Sequence, residues 1–388
     1  MLFSVRAGVL IYGAVVLTNR LHAQDAPSAI SVGARRVLIS GASTDMDLRR
    51  QPIVAIGDNG QIAITDGATF VGVADASGRV QRVGRAGSGP GEIQQTSALG
   101  WVGDTLWVID SRLRRITWFH AGRLHHTVSF VGGRRSGQLL DLPMALTPLG
   151  AVAPSMGDGQ AATLYKPRRW SLFLASPDGA QVRDSLFDMV DPAGALTVKR
   201  GNGTMVLRQP YSLRTLVGWS GNGTWLVRAD RASQSEGPLG GTQPHISLRD
   251  ARGRIVYDVP LPIAARTLPP AEVARLVDSA VATLNRNPRL PPTTTAEYRR
   301  ALAVPPRVPA VSQLVVRNDG SVLLRPWPAP DGQADHLVIA ADGRVRNTLR
   351  LPPGVHILAA DTNRIIATRE NDDGDVDIVV FDLTQRQR

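Results

Sequence analysis

The segment DTLWVIDSRLRRITWFHAGR, Asp104–Arg123, is the most informative part of the sequence about the fold. It starts at the turn Gly103-Asp104, runs into the β-type segment Leu106–Ile109, and after another strand reaches the turn Ala121-Gly122. The segment Leu106–Ile109 is apolar on both faces, as expected of a strand buried between two sheets. The stretch therefore predicts the central part of a four-stranded antiparallel meander.

The same pattern of turns and strands recurs along the chain. Asn-Gly and Asp-Gly pairs tolerate positive φ, so they favour two-residue hairpins between these strands. Counting the first turn of each repeat predicts six units, which start near Pro52, Ser97, Met144, Leu213, Val311 and Val355. Five or seven units remain open, because the third and fourth units are long and irregular.

The two ends of the chain complement each other. The last unit offers three strands, at His356–Ala360, Arg364–Arg369 and Val376–Asp382, and the chain ends before a fourth. Near the other end, Arg36–Ser40 is a strand with no unit of its own. We predict that it pairs with the last sheet, because this closes a ring and protects an exposed edge. The predicted fold is all-β: a six-bladed β-propeller of four-stranded antiparallel blades, closed by an N-terminal strand.

One insertion, at about residues 263–309, interrupts the β pattern. Apolar residues from Val273 to Leu284 recur at helical spacing, and Thr294 with Glu297 has the spacing of a capping box. We predict two short helices. They form either a lid over the channel of the ring or a decoration that covers one blade edge.

The segment GRAGSGPGE, Gly84–Glu92, resembles the loop that links consecutive blades in bacterial six-bladed propeller proteins related to the NHL-repeat family. Asp104–Arg123 resembles a blade of that family, and the closer resemblance covers roughly Val54–Val131. NDGSVLLRPW (318–327) and AADGRV (340–345) are similar but less so. The resemblance implies the fold and no particular activity, since propellers host many functions.

The N-terminus predicts export. Arg6, the apolar run Ala7–Thr18 and the small residue Ala23 fit a signal peptide over residues 1–23, which leaves a propeller over residues 24–388. An uncleaved anchor or a buried first strand are the alternatives. The mature chain would have no membrane span and would be periplasmic or extracellular. The absence of cysteine leaves no lipid-attachment box and no disulfide framework.

The net charge of +11 predicts a solvated basic surface rather than a nucleic-acid site, because the arginines are scattered and no nucleic-acid fold is visible. The Gly-rich loop also fails as a phosphate site. Glu92 stands where a dinucleotide fingerprint needs its third glycine, and Pro90 stands where a P-loop needs lysine. Arg85 and Glu92 remain candidate ligand-binding residues, if they point into the channel.

No metal site or cofactor can be named from the sequence. The acidic residues Asp372, Asp373, Asp375 and Asp377 do not fit a calcium loop, and we interpret them as a solvated hairpin turn. The neighbours His125 and His126 are expected to face opposite sides of a strand, where they cannot easily bind one metal together.

No short catalytic motif is present, and cysteine nucleophiles are absent. The main hypothesis is therefore an exported, monomeric, non-catalytic binding propeller whose partner is an unknown protein or small molecule. The alternative is a metal-assisted hydrolase or lyase of the gluconolactonase type with its site at the propeller axis. Ligands from distant blades leave no short motif, so the sequence leaves open whether the protein is an enzyme.

Overall fold

The computed structural model describes residues 27–43, 46–48, 52–75, 78–135, 138–156, 168–191, 195–200, 203–208, 215–230, 245–261, 263, 267–285, 295–301, 309–327 and 335–385. The predicted signal peptide, residues 1–23, and the predicted cap Thr294 lie outside these residues. Within them, no helix is both long enough and apolar enough to cross a membrane.

The first half of the chain forms antiparallel sheets in chain order. The N-terminal strand is β1 (Ser28–Ile39), which a 3-10 turn at Gly41–Ser43 follows. The first sheet contains β2 (Ile53–Ile56), β3 (Ile62–Thr65), β4 (Val71–Ala74) and β5 (Val80–Arg82). A short parallel pair, β6 (Arg85–Ala86) and β7 (Glu92–Ile93), leads to the second sheet. The second sheet contains β8 (Thr96–Val102), β9 (Thr105–Asp110), β10 (Arg115–His120) and β11 (Arg123–Ser129). The third sheet contains β12 (Arg134–Arg135), β13 (Gln138–Leu140), β14 (Ala145–Thr147), β15 (Gly150–Met156), β16 (Arg168–Ala175) and β17 (Val182–Asp191).

The second half continues the pattern. A separate hairpin, β18 (Ala195–Arg200) and β19 (Gly203–Arg208), precedes the fourth sheet. The fourth sheet contains β20 (Leu216–Trp219), β21 (Trp225–Ala229), β22 (His245–Asp250) and β23 (Ile255–Pro260). After helices α1 (Pro270–Asn285) and α2 (Thr295–Ala301), the fifth group of strands contains β24 (Val311–Val316), β25 (Val322–Pro326), β26 (His336–Ile339) and β27 (Val345–Leu349). The last group contains β28 (Val355–Ala360), β29 (Arg364–Glu370) and β30 (Val376–Gln385).

Strand β1 joins the two ends of the chain. It pairs antiparallel with β30, with Val37 opposite Val379 and Ile39 opposite Ile378, as the sequence predicted. Its first residues also pair in parallel with β27, so that Ser28 lies opposite Asn347. The fifth and last groups thereby become one eight-stranded sheet in the order β24-β25-β26-β27-β1-β30-β29-β28.

The sheets pack face to face in sequence, each sharing an apolar core with its neighbours. One core lies between the first and second sheets, and another between the second and third. Further cores join the fourth sheet to the β24–β27 group, and that group to the β28–β30 group. Leu38 and Ile39 of β1 belong to a core that joins the β28–β30 group to the first sheet. The protein is thus all-β with few helices, in a propeller-like arrangement of four-stranded sheets.

The two helices occupy the stretch that the sequence predicted to be helical. Helix α1 packs through Val273 and Leu276 around Leu268, against which Trp327 also lies. Helix α2 lies next to α1 and to β18.

Replacing Leu38 with alanine tests how much the packing of β1 contributes to the stability of the protein. Leu38 is 9% exposed in the core between the last and first groups, whereas the adjacent Val37 is 45% exposed. We expect Leu38→Ala to lower the free energy of unfolding by about 2–4 kcal/mol, because it leaves a cavity in that core. Val37→Ala is the matched control, with an expected loss below about 1 kcal/mol. Urea unfolding measures both, and equal losses would contradict a core role for this strand.

Candidate functional site

A central cavity is bounded by the first strands of the sheets. Its volume is about 330 Å³, and residues of β2, β8, β20, β24 and β28 line it. Strand β14, the corresponding strand of the third sheet, lies beside β8. The sequential packing of the sheets therefore brings residues that are far apart in the chain to one place.

The lining of the cavity is mainly apolar. The residues that line it include the large apolar residues Ile53, Val217, Trp219, Leu314 and Leu358. Each of the strands β2, β8, β20, β24 and β28 lies at the edge of its sheet, so one row of its backbone N–H and C=O groups has no partner within that sheet. The cavity thus combines apolar side chains with backbone hydrogen-bonding groups, which is the usual make-up of a small-molecule site.

A polar cluster lies where three of the first strands end. The side chain of Asp58 accepts hydrogen bonds from the amide nitrogens of Asn222, at 2.8 Å, and Asn318, at 3.1 Å. Asn318 also donates to the Ile56 carbonyl at 3.0 Å, and it accepts a hydrogen bond from the Asn222 backbone N–H at 3.3 Å. Asn318 itself lines the cavity, so this clasp of Asp58, Asn222 and Asn318 lies at one end of it.

The two amides are held in one orientation. The Asn222 side-chain oxygen accepts hydrogen bonds from the Ser220 hydroxyl, at 2.6 Å, and the Thr224 backbone N–H, at 3.1 Å. Turning the Asn222 amide would point its NH2 group at the Thr224 donor, and turning Asn318 would point its oxygen at the Ile56 carbonyl. The clasp therefore presents amide nitrogens to Asp58, which favours a hydrogen-bonded lock between sheets over a cation site.

Close backbone contacts reinforce this end of the cavity. The Trp101 N–H donates to the Gly221 carbonyl at 2.8 Å, which links the second sheet to the fourth. Gly223 has φ +68°, and a Cβ there would lie 2.1 Å from the carbonyl oxygen of Leu146 on β14. Only glycine fits this position, so the turn after β20 can sit directly against the third sheet.

The clasp was not predicted from the sequence, although its three residues occupy equivalent positions in a repeated pattern. Asp58, Asn222 and Asn318 each stand in the first turn of a repeat, just after the strand that borders the cavity. If those strands run side by side around an axis, their following turns must meet at the same end. A polar residue in equivalent first turns was therefore the available signal.

The Gly-rich loop brings Arg85 and Glu92 together. Arg85 Nε donates to Glu92 Oε1 at 2.7 Å, and the Gly89 N–H donates to Glu92 Oε2 at 2.7 Å. The carboxylate fills the space beside Gly87, where a Cβ would lie 2.1 Å from Oε2. From the next sheet, Arg115 donates to the backbone carbonyls of Ser88, Gly89 and Glu92. These charged side chains therefore stabilise the conformation of the loop.

The loop lies against the outer strands of the second sheet rather than in the cavity lining described above. Arg115 is on β10, and a Cβ on Gly91 would contact Leu124 of β11. A ligand role for Arg85 and Glu92 stays a prediction, and a ligand there would have to replace the contacts that they already make.

The electrostatics of the loop favour an ionised Glu92. The Gly89 N–H bond, followed by the Arg85 hydrogen bond, lowers the pKa of the Glu92 carboxyl below its ordinary value of 4.5. The Arg85 side chain is 80% exposed, whereas that of Glu92 is 18% exposed. The Glu92 carboxylate is therefore held by the loop, whereas the Arg85 side chain lies mostly in solvent.

The acidic turn near the C-terminus contains one residue that is not solvated. Asp377 is 6% exposed and its Oδ1 accepts a hydrogen bond from the Gly41 N–H at 3.0 Å. This corrects the interpretation of all four aspartates as a solvated turn, because Asp377 fixes the turn after β1 to β30.

The structure also corrects the expectation for the histidine pair. Opposite β10, Trp118 pairs with His126 and Phe119 pairs with Leu124, which leaves His125 as an extra residue in a β-bulge. The bulge breaks the alternation of side chains, and the Nδ1 atoms of His125 and His126 lie 2.5 Å apart. Among the described residues, no group of three or more His, Cys, Asp or Glu side chains is arranged to hold a metal.

Comparisons with known proteins do not assign a family. No protein-family model matches the sequence, and no curated protein matches it. A Bacteroides fragilis protein thought to be exported is similar in structure, with a TM-score of 0.47 and 9% identity over 94% of this chain and 98% of that chain. A DUF4221 member from Bacteroides vulgatus has a TM-score of 0.46 and 8% identity, over 92% of this chain and 98% of its own. A streptogramin B lyase has a TM-score of 0.38 and 10% identity, over 91% of this chain and 98% of its own. Similarity at this level assigns no activity.

Replacing Asp58 with alanine should weaken the contact between sheets. The amides of Asn222 and Asn318 would lose their shared acceptor, and we expect the free energy of unfolding to fall by about 1–2 kcal/mol. Asp104→Ala is the matched control, because Asp104 stands in the corresponding turn of the second sheet with a side chain 70% exposed. Its loss should stay within about 0.5 kcal/mol. Equal losses in urea unfolding would argue against the clasp.

The Glu92 carboxylate should make stability depend on pH. Its pKa is lowered in the folded protein, so its stabilisation is present above the unfolded-state pKa and disappears as the pH falls through the folded-state pKa. Glu92→Gln should therefore be less stable than the parent protein at neutral pH, and the difference should shrink in acid. Arg85→Ala keeps the Gly89 bond and should show a smaller pH-dependent loss. Urea unfolding midpoints measured from neutral to acidic pH provide the test. A stability difference between Glu92→Gln and the parent protein that does not change with pH would refute the stabilising role of the carboxylate.

Proposed function

We propose that the protein is a non-catalytic six-bladed β-propeller that binds a small, mainly apolar molecule in its central cavity. The observation that carries this proposal is the cavity of about 330 Å³ bounded by the first strands of successive sheets. Its volume lies at the lower end of the range of roughly 300–1,000 Å³ that is typical of ligand sites.

The blade count rests on the order and packing of the strands. Each of the six predicted units starts at or near a first strand, namely β2, β8, β14, β20, β24 and β28. The close approach of Gly223 to Leu146 supports placing β20 next to β14 in the ring. The parallel pairing of β1 with β27 is then a link between the outer strands of two blades. The Gly84–Glu92 loop supports a distant relationship to NHL-type propellers.

The chemistry of the cavity suggests the ligand. Apolar residues such as Val217, Trp219 and Leu314 would exclude water and make the burial of an apolar ligand favourable. Backbone groups at the edges of the first strands would orient one or two polar groups of the ligand. The ligand class is therefore a compact apolar molecule with a neutral polar end, and a strongly charged molecule would find no counter-charge among the cavity-lining residues described.

We infer the location of this binding protein from its N-terminal sequence. We propose that residues 1–23 are a cleaved signal peptide and that residues 24–388 act as a monomer outside the cytoplasm. Helices α1 and α2 are proposed as a decoration of the ring, because α2 lies beside β18 and the described residues that line the cavity include none from either helix.

A metal-assisted hydrolase or lyase is the second candidate. It is favoured by the convergence of one carboxylate and two amides, Asp58, Asn222 and Asn318, at one end of the cavity. A hard cation prefers oxygen ligands. Both amides would have to turn and give up the hydrogen bonds described above, so the residues fit a cation poorly.

Occupation of the cavity can be tested with N-phenyl-1-naphthylamine, a neutral apolar fluorophore. We expect its fluorescence to rise to saturation at a one-to-one ratio. Ser97 is exposed and lines the cavity, so Ser97→Trp should obstruct it and weaken binding by at least ~10-fold, or about 1.4 kcal/mol. Ser129→Trp, on the exposed surface of β11, is the matched control and should bind like the parent protein.

Two results would overturn the proposal. One is probe binding that does not saturate or that Ser97→Trp leaves unchanged while both variants melt like the parent. The other is turnover of lactones or phosphoesters that a chelator abolishes and Asp58→Ala removes, which would establish the second candidate instead.

A further inference from the structure

The second sheet carries two neighbouring histidines on one face of its outermost strand. His125 and His126 lie on β11, and both are exposed. The bulge opposite Trp118 makes them neighbours on one face, since His125 has no pairing partner on β10. Bulges of this kind redirect side chains that a regular strand would send to opposite faces.

The two imidazoles face each other through the same atom. Their Nδ1 atoms lie 2.5 Å apart, their ring centroids 4.7 Å apart, and their planes meet at 72°. At most one of the two Nδ1 atoms can carry a proton in this arrangement, because two protons would collide. At least one nitrogen lone pair is therefore always directed at the space between the rings.

A neighbouring aromatic ring orients one member of the pair. The His126 ring stacks on Trp118, with centroids 5.4 Å apart and planes inclined by 15°. Trp118 itself packs against the core between the second and third sheets, so it holds one of the two imidazoles in place.

We propose that His125 and His126 form a bidentate surface site for a late first-row divalent cation, bound through the two Nδ1 atoms with water completing the coordination. Imidazole nitrogen is a preferred ligand of Cu²⁺, Ni²⁺ and Zn²⁺, and the expected order of affinity places Cu²⁺ first. Calcium and magnesium prefer oxygen and should not bind.

The required adjustment is small. Metal–nitrogen bonds of about 2.0–2.1 Å place two cis ligands roughly 2.9–3.4 Å apart, so the Nδ1 atoms must separate by less than about 1 Å. Rotation about the terminal side-chain torsion of an exposed histidine supplies this movement at little cost. The site lies on the outermost strand of its sheet, away from the central cavity, so it does not depend on the proposed ligand.

The stacked tryptophan provides the measurement. Bound Cu²⁺ quenches a nearby indole, so titration of the tag-free full chain with Cu²⁺ should quench part of the tryptophan fluorescence and saturate at a one-to-one ratio. His125→Gln and His126→Gln should each abolish the saturating phase. Zn²⁺, which does not quench, should suppress it by competition, whereas Ca²⁺ should have no effect.

Controls separate this site from other histidines and from loss of folding. His120→Gln changes a histidine on the adjacent strand β10, which lies near Asp104, and should leave the quenching intact. Trp118→Phe should remove the quenched component while calorimetry still detects Cu²⁺ binding. Unchanged melting of the variants confirms that they fold. Three results would refute the site. They are quenching that fails to saturate, quenching that persists in both His125→Gln and His126→Gln, and quenching that His120→Gln removes to the same extent as these two variants.

Discussion

The antiparallel pairing of β1 with β30 is the contact on which the arrangement of the sheets depends. It joins two segments from opposite ends of the chain, and it carries Leu38 and Ile39 into the core between the last strands and the first sheet. Without β1, strand β30 would expose an unpaired edge and the first sheet would lose part of its apolar cover. Asp377 adds a buried hydrogen bond to the Gly41 N–H at the same junction.

The cavity is a consequence of that closed sequence of contacts. First strands of separate sheets can border one space only if each sheet packs on the next, and the sheet faces are apolar enough to do so. The polar groups are then left at strand edges and in turns. Asp58, Asn222 and Asn318 satisfy one another at one end, which leaves the apolar wall as the chemically open part of the cavity.

The candidate residues Arg85 and Glu92 lie close together in the chain, and their ligand role stays a prediction. Arg85 and Glu92 do meet, because only six residues of a tight loop separate them, but their contact stabilises the loop itself. The bonds from Asn222 and Asn318 to Asp58 span 164 and 260 residues, so no local pattern encodes them. The prediction that His125 and His126 face opposite sides was wrong for another reason. It assumed a regular strand with alternating side chains, whereas the bulge arises from the register with β10.

Local sequence chemistry was sufficient to locate many of the strands, several tight turns and the two helices, because apolar periodicity and glycine turns act over a few residues. The separate hairpin of β18 and β19 was not predicted. The sequence also anticipated the pairing of Arg36–Ser40 with the last sheet, since an orphan strand and an incomplete sheet complement each other. The existence of the cavity, its clasp and the adjacent imidazoles required three-dimensional packing. Those features depend on which distant edges meet and in what register, and a linear pattern leaves both undetermined.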